Sequence, residues 1–146
     1  MKLVFCISGT INSGGMERIL AQRANYFVEK FGYDISIITT DNNNEIYKDR
    51  CQFFYFNSKI KIIDLGIKYL DFFKRTENIN FLKKQIKLKK LKNRHLKLLN
   101  KTIEEIKPDI LISLGDVGRD IIYQVSFPCK KILENHFNKQ LFTGEL

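Results

Sequence analysis

Two adjacent glycines, Gly14 and Gly15, follow the first apolar segment of the chain and precede its first helical pattern. Glycines at the start of a helix leave backbone N–H groups uncovered, and the helix dipole favours an anion there, so phosphate is the expected ligand. The spacing matches neither a P-loop, which needs Lys and then Ser or Thr after its second glycine, nor the G-x-G-x-x-G dinucleotide fingerprint. A tight strand-to-helix turn without a ligand explains the two glycines equally well, and both interpretations stay open.

Polar side chains near predicted strand ends and helix starts are the remaining candidates for chemistry. His136 follows the last predicted strand, where an imidazole can donate or accept a hydrogen bond near neutral pH. Asp116 and Arg119 follow another apolar strand, and Asp116 either caps the next helix or binds ligand hydroxyl groups. In the first helix, Glu17 suits the positive end of the dipole and is expected to be structural. Arg18 beside it can contact a ligand's negative charge.

An alternation of strands and helices is predicted to position these residues. Short apolar runs bounded by turn residues predict strands. They lie at 2–8, 34–40, 53–56, 59–65, 109–114 and 130–134. Apolar residues at spacings of three or four predict a helix from about Met16 to Gly32, a longer one from about Asn80 to Lys107, and a short one near Ile121. This alternation predicts an α/β, Rossmann-like domain with a mainly parallel sheet and helices on both faces.

The net charge of +9 is concentrated in one segment of the chain. From Lys83 to Lys101 there are nine basic residues and no acidic one, whereas the rest of the chain holds 16 of each sign. The first interpretation is a solvated helix face, with His95 among its exposed residues. An anionic membrane surface is the second. Nucleic acid is the third, because no aromatic residue that could stack on bases interrupts the run.

Length and composition limit the class of protein. With 146 residues, 44% of them apolar, the chain suits one domain and is too apolar to be disordered. No apolar run is long enough to span a bilayer and the N-terminus lacks the features of a signal peptide, so a cytoplasmic location is expected. Cys6, Cys51 and Cys129 are widely spaced and form no metal-binding motif. Structural thiols are therefore expected, without a metal or cofactor.

Four groups of residues occur in an order that is typical of one enzyme family. The first contains Ile-Ser-Gly at 7–9 and Ser-Gly-Gly-Met-Glu-Arg at 13–18. The others are Gly-Tyr-Asp-Ile-Ser-Ile-Ile-Thr at 32–39, Lys-Pro-Asp-Ile-Leu-Ile-Ser at 107–113 and Leu-Glu-Asn-His-Phe-Asn at 133–138. Together they resemble the N-terminal region of glycosyltransferase family 4. The stretch from 42 to about 106 carries no family motif beyond its helix–strand pattern.

The resemblance implies a GT-B enzyme, in which two Rossmann-like halves face a cleft. The N-terminal half mainly holds the acceptor and the C-terminal half holds a nucleotide sugar, whose transfer retains the anomeric configuration. By this resemblance Gly14 and Gly15 lie against the donor diphosphate, and His136 is the candidate catalytic residue near the transferred sugar. Three residues are then candidates for acceptor binding: Arg18, Asp116 and Arg119.

By the same resemblance, residues 1–146 correspond to part of one domain. The donor-binding C-terminal half is absent, and one or two further strand–helix units are expected after His136. A fragment, a truncated product or one part of a split enzyme is therefore expected, inactive by itself and prone to associate through exposed apolar sheet surface. Family-4 enzymes of surface-polysaccharide assembly use glycan or lipid-linked acceptors. Peripheral attachment of the segment 83–101 to the inner face of the membrane would fit that role.

Two alternative functions stay open. A truncated or split product would hold an acceptor or a partner chain without catalysing transfer. An unrelated Rossmann-like domain would instead bind a nucleotide through the glycine turn, and tight binding of NAD or ATP by the isolated chain would favour it.

Overall fold

Strands and helices alternate through the part of the chain that the computed structural model describes, which is residues 1–42, 52–115 and 119–134, with only the backbone at 119 and 120. The strands are β1 (Lys2–Ile7), β2 (Asp34–Thr39), β3 (Lys61–Asp64), β4 (Ile110–Leu114) and β5 (Lys130–Glu134). The helices are α1 (Gly15–Phe31), α2 (Tyr69–Arg75), α3 (Phe81–Ile106) and α4 (Arg119–Ile122).

The strands form one parallel sheet in the order β3-β2-β1-β4-β5. β1 lies at its centre, where Val4 is in register with Ser36 of β2 and with Leu111 of β4. The chain moves outward from β1 to β3 and then continues on the other side of β1, so the strand order reverses between β1 and β4. In an open sheet of this kind, ligands bind beyond the carboxyl ends of the strands at the reversal. The predicted Rossmann-like fold class is confirmed.

The central strands are apolar on both sides because helices cover both faces of the sheet. Along β1, Leu3, Phe5 and Ile7 pack in a core that includes α1, whereas Val4 and Cys6 pack in a core that includes α3 and α4. Complete burial of a side chain such as Phe5 contributes about 1.5–3 kcal/mol. Continuous apolar runs are therefore what these strands require, and this is the pattern from which they were predicted.

The ends of the two long helices follow local sequence signals. Gly32 ends α1 in the left-handed conformation, with φ of 63°, as the sequence predicts. Asn80 caps α3, because its side chain accepts a hydrogen bond from the backbone N–H of Leu82 at 2.9 Å. The helix ends before Lys107 and Pro108, within one residue of the predicted boundary.

Two regions differ from the sequence-based prediction. The predicted strand at 53–56 is irregular, because the side chain of Asn25 on α1 bonds to the carbonyl of Tyr55 and to the N–H of Asn57. Tyr55 in this segment is 72% exposed. Helix α2 was not predicted. It has no buried residue, and it follows Lys68 without a side-chain cap.

Candidate functional site

The carboxyl ends of β1, β2 and β4 meet at one edge of the sheet. Beyond β2, the backbone N–H groups of Thr40 and Asp41 donate to the carbonyl of Ser8, at 3.2 and 2.9 Å. Beyond β4, Gly115 has φ of 82° and approaches α1 closely, so that a Cβ there would lie 3.1 Å from Sδ of Met16. These contacts join the strand ends and the start of α1 into one surface, which we call the carboxyl edge.

Gly14 and Gly15 lie at the start of α1, and neither needs to be glycine for its backbone conformation. Gly14 is the N-cap with φ of −72° and ψ of 163°, and Gly15 also has no positive φ. A Cβ on Gly14 would collide with the carboxylate of Glu17, whereas a Cβ on Gly15 would meet nothing within 4 Å. Gly14 therefore lies close to the Glu17 carboxylate and not in a strained turn, and Gly15 leaves the start of the helix open.

The first turn of α1 presents backbone N–H groups to which no side chain of the described residues is bonded. Gly14 makes no side-chain capping bond, and its carbonyl accepts the first helical hydrogen bond from Arg18 at 3.1 Å. Glu17 is only 5% exposed and holds its carboxylate beside Gly14. A phosphate at this turn would be attracted by the helix dipole and repelled by Glu17, so the open side at Gly15 is the favourable place for it.

A cavity of about 330 Å³ opens at the carboxyl edge between the loops after β1 and β2 and the helix α2. Its lining consists of Ser8, Gly9, Ile11, Asn12, Thr40, Asp41, Asn42, Tyr69, Leu70 and Phe73. The volume falls in the range of small-molecule sites. The loops supply polar groups, and α2 supplies an aromatic and aliphatic wall. This combination suits a saccharide, because a sugar has hydroxyl groups around its ring and C–H groups on its faces.

Hydrogen bonds fix the polar wall of the cavity. Oδ1 of Asn42 accepts from the backbone N–H and the hydroxyl of Thr10, at 2.9 and 3.2 Å. Oδ2 of Asp41 accepts from the backbone N–H of Leu70 at 3.2 Å, which ties α2 to the carboxyl edge. The sequence analysis did not single out Asp41 and Asn42 as site residues. Their place directly after β2, at the end of a parallel strand, was the signal that identifies them.

His95 is buried, which makes the expectation of a solvated histidine wrong. It is 3% exposed, and its Nδ1 lies 3.1 Å from the hydroxyl of Tyr69. Burial lowers the pKa of His95 to about 4 and raises the pKa of Tyr69 to about 12. Both groups are therefore uncharged near neutral pH, and the Tyr69 hydroxyl and Nδ1 of His95 share a hydrogen bond. The spacing of His95, Leu99 and Ile103, four residues apart, places all three on the buried face.

Of the three predicted acceptor residues, only Arg18 has a described side chain. Arg18 is exposed on the first turn of α1, together with Gly14 and Gly15, and it does not line the cavity. Arg119 is the first residue of α4, the short helix predicted near Ile121. Asp116 and His136 lie outside the described residues.

An ion pair that the sequence analysis missed connects α1 with the end of β5. Nη1 of Arg23 lies 2.5 Å from Oε2 of Glu134, and the guanidinium also lies 6.0 Å from the centre of the Phe5 ring. The two side chains are 36% and 20% exposed, so the pair contributes at most about 1 kcal/mol. It fixes α1 against the strand that ends two residues before His136. Glu134 belongs to the family-like segment at 133–138, and its ion pair with Arg23 gives it a structural role.

The cysteines show no sign of reactivity in the described part of the chain. Burial raises the pKa of the Cys6 thiol to about 12, with a smaller contribution from Cys129, and it also raises the pKa of Cys129. Both residues are free thiols. Cys51 lies outside the described residues. Within the described ranges no group of three or more His, Cys, Asp or Glu side chains is arranged to hold a metal ion.

The basic segment belongs to α3, and much of this helix stands clear of the sheet. Its buried residues, His95, Leu99 and Ile103, all lie in its C-terminal half. Near the N-terminus, large apolar side chains are exposed beside the lysines. They are Phe81 (70%), Leu82 (70%) and Ile86 (59%). None of the helices described is both long enough and apolar enough to cross a membrane.

Two solved structures resemble this fold. TcCGT1, solved in complex with UDP, matches 96% of the chain at 14% identity with a TM-score of 0.58. The apo form of the lipopolysaccharide outer core galactosyltransferase WaaB matches 94% at 17% identity with a TM-score of 0.54. Both neighbours are GT-B glycosyltransferases. The chain has the fold of one part of a GT-B glycosyltransferase.

The match covers only part of each neighbour. The chain spans 29% of the length of TcCGT1 and 34% of the length of WaaB. At these identities the likeness establishes the fold alone. A scan against models of protein families finds no match, and a search of curated proteins also finds none.

Proposed function

We propose that the chain is the acceptor-side part of a retaining glycosyltransferase of family 4. It would take part in transfer of a sugar from a nucleotide-sugar donor to a glycan or lipid-linked acceptor during surface-polysaccharide assembly. The observation that carries this proposal is the cavity at the carboxyl edge, in a chain that has the fold of one part of a GT-B glycosyltransferase and an open first turn of α1. The family-like motifs support the enzyme class, as does the likeness to WaaB, a galactosyltransferase by name.

The acceptor occupies the cavity in this proposal. Asp41 and the loop residues around it offer hydrogen-bond partners for hydroxyl groups, and Phe73 offers an aromatic face for the C–H side of a sugar ring. Arg18, Asp116 and Arg119 are proposed to contact the acceptor from outside this lining. Arg18 is exposed on the first turn of α1, where a guanidinium suits an acceptor that carries phosphate or carboxylate.

The donor diphosphate meets the first turn of α1 from across the cleft, held mainly by a C-terminal half. Gly14 and Gly15 would present backbone N–H groups to the phosphate oxygens, mostly on the open side at Gly15. When the bond between the sugar's anomeric carbon and the phosphate oxygen breaks, negative charge grows on the leaving phosphate, and these N–H groups stabilise it. His136 is proposed to contact the sugar near the anomeric carbon, where oxocarbenium character develops.

The N-terminal half of α3 would attach the protein to the inner face of an anionic membrane. Lysines near the headgroups contribute about 1 kcal/mol each, and exposed apolar side chains such as Phe81 and Leu82 enter the interfacial region. Exposed aromatic and aliphatic residues among lysines favour this interpretation over a purely solvated face. The protein would then be cytoplasmic and peripheral to the membrane.

Nucleotide binding and sugar transfer test the proposed enzyme class. In calorimetric titrations of the chain with UDP, NAD and ATP, we expect no tight binding, because the donor half holds the nucleotide. Tight binding of NAD or ATP would contradict the proposal and favour an independent nucleotide-binding domain. Co-expression with the product of the adjacent reading frame should give sugar transfer that needs both chains. Assembly without transfer would instead indicate a non-catalytic binding module.

Vesicle flotation tests the membrane attachment separately. We expect the chain to bind vesicles that contain anionic lipid more strongly than zwitterionic vesicles or duplex DNA. Phe81→Ser should weaken vesicle binding, whereas Phe53→Ser, a change at a residue that is 67% exposed outside α3, should not. Equal effects of the two substitutions, or preference for DNA, would contradict attachment through α3.

A further inference from the structure

A second groove, of about 380 Å³, lies between α2 and α3. It has no lining residue in common with the cavity at the carboxyl edge, because different side chains of α2 line the two. Tyr69, Leu70 and Phe73 contact the cavity, whereas Phe72 and Arg75 line the groove. We call this feature the α2–α3 groove. Neither the proposed acceptor site nor the glycine turn uses it.

Four basic side chains border the α2–α3 groove. Lys68 and Arg75 come from the start and end of α2, and Lys87 and Arg94 come from α3. Lys87 and Arg94 are seven residues apart on α3, which is about two helical turns and sets them on the same side, while Lys68 directly precedes α2 and Arg75 is its last residue. Lys68 and Arg75 lie outside the basic segment 83–101. The fold therefore gathers these charges from two parts of the sequence, and composition alone does not explain the cluster.

The charges on the α2–α3 groove are not neutralised by neighbouring acids in the described residues. Asp71 is the only acidic residue of the lining, and no described carboxylate lies within 4.0 Å of any of the four cations. The ion pair that the described residues do form is Arg23–Glu134, on α1 and β5. Like charges gathered around one groove repel one another, and an anionic ligand would relieve this repulsion.

The floor and the backbone of the α2–α3 groove also fit a ligand site. Ile67 is 2% exposed, and Phe72 and Leu91 are half-buried, so the floor is apolar beneath a cationic rim. Lys68 has φ of 59° and ψ of 50°, a left-handed conformation that is strained for a residue other than glycine. This conformation starts α2 with a lysine at the rim. Helix α2 itself buries no residue, so core packing does not account for it.

We propose that the α2–α3 groove binds a phosphate-bearing ligand. The guanidinium groups of Arg75 and Arg94 offer planar donor forks that match pairs of phosphate oxygens, and Lys68 and Lys87 add mobile point charges. A soluble sugar phosphate or diphosphate and a phosphate headgroup of a lipid share this chemistry. The groove is separate from the glycine turn, so this proposal does not depend on the transferase proposal.

Calorimetric titration of the 146-residue chain with inorganic pyrophosphate at low ionic strength tests this directly. We expect one saturable site, and a loss of affinity of at least about tenfold in the double variant Arg75→Ala/Arg94→Ala. The matched control is Lys97→Ala/Lys101→Ala, which removes the same charge from exposed positions of α3 that do not line the groove. The control should keep its affinity within about twofold.

Two results would overturn the phosphate site. One is the absence of saturable binding by the wild-type chain, and the other is an equal loss of affinity in the two double variants, which would indicate general charge attraction. Thermal unfolding monitored by circular dichroism shows whether each variant folds. The variant Arg75→Lys/Arg94→Lys keeps the charge and removes the planar forks. It should bind more weakly than wild type and more tightly than the alanine variant.

Vesicles distinguish the two sources of the phosphate group. If pyrophosphate displaces the chain from phosphatidylcholine vesicles that contain phosphatidic acid, and Arg75→Ala/Arg94→Ala weakens vesicle binding, the source is a lipid headgroup. If the chain binds pyrophosphate, but neither added pyrophosphate nor Arg75→Ala/Arg94→Ala reduces vesicle binding, the source is a soluble phosphate. Either result supports the phosphate site, and a wild-type chain that binds neither probe contradicts it.

Discussion

The two halves of α3 differ in what surrounds them. In the C-terminal half, His95, Leu99 and Ile103 are buried against the sheet and α4. Residues 81–94 include no buried side chain, yet they carry most of the segment's basic residues and exposed apolar side chains. Packing in the core explains the residue types of the C-terminal half but not those of the N-terminal half. The C-terminal half of this continuous helix therefore belongs to the core, whereas the basic and exposed apolar side chains of residues 81–94 do not.

Removal of a buried side chain should have the largest effect on stability. Ile103→Ala leaves a cavity in the core and should lower the free energy of unfolding by about 2–5 kcal/mol. Ile86→Ala makes the same chemical change at a site that is 59% exposed, and it should change stability by less than about 0.5 kcal/mol. Urea unfolding measures both. Similar losses at the two positions would contradict the division of α3 into a packed and an unpacked half.

Stability should also depend on pH through His95. Its pKa falls from 6.5 to about 4 on folding, so the unfolded chain binds more protons between these values. The stabilising contribution is therefore complete above pH 6.5 and is lost as the pH falls towards 4, by a total on the order of 3 kcal/mol. Urea unfolding at a series of pH values measures this loss.

His95→Gln is the matched variant for the pH experiment. It removes the titrating imidazole from the buried half of α3, so its stability should fall less than that of the wild type between pH 6.5 and 4. If the two proteins lose stability in parallel over this range, His95 does not titrate as a buried group and the packed half of α3 is misassigned.

The smallest effect is expected from the cap of the unpacked half. Asn80→Ala removes the hydrogen bond to the N–H of Leu82, which is worth about 1 kcal/mol to the helix end. Because no side chain of residues 81–94 is buried, the loss should appear as fraying, with faster amide exchange near Leu82 and an almost unchanged melting temperature. A fall in global stability by the whole amount would show that this half is coupled to the core.

The sequence predicted most of the sheet because its central strands are buried on both faces. Continuous apolar runs such as those of β1 and β4 follow from that burial, and Gly32 and Pro108 mark the ends of the long helices. The strand prediction at 53–56 was wrong because aromatic composition alone does not show which backbone groups are paired. Its partner is the side chain of Asn25, which is distant in the sequence.

Much of the candidate site depended on tertiary contacts that local patterns do not contain. Helix α2 is seven residues long, buries none of them and has no capping side chain, so nothing in its sequence marked it. Without α2, neither the apolar wall of the cavity nor the α2–α3 groove was predictable. His95 was misjudged from its basic neighbours, although its spacing from Leu99 carried the correct signal. Gly14 and Gly15 were located correctly at the start of α1, and their phosphate role stays a prediction.

Sugar transfer by a Gly15→Asp variant, assayed with a donor-binding half, tests the central claim most directly. The space beside Gly15 accommodates the side chain and the helix dipole favours an acid there, so the variant should fold, while its carboxylate excludes the donor diphosphate. We predict at least about a hundredfold loss of transfer in Gly15→Asp. Gln22→Asp, the same charge change at an exposed position further along α1, should transfer normally. Full transfer by Gly15→Asp, or none by the wild-type pair, would contradict the account.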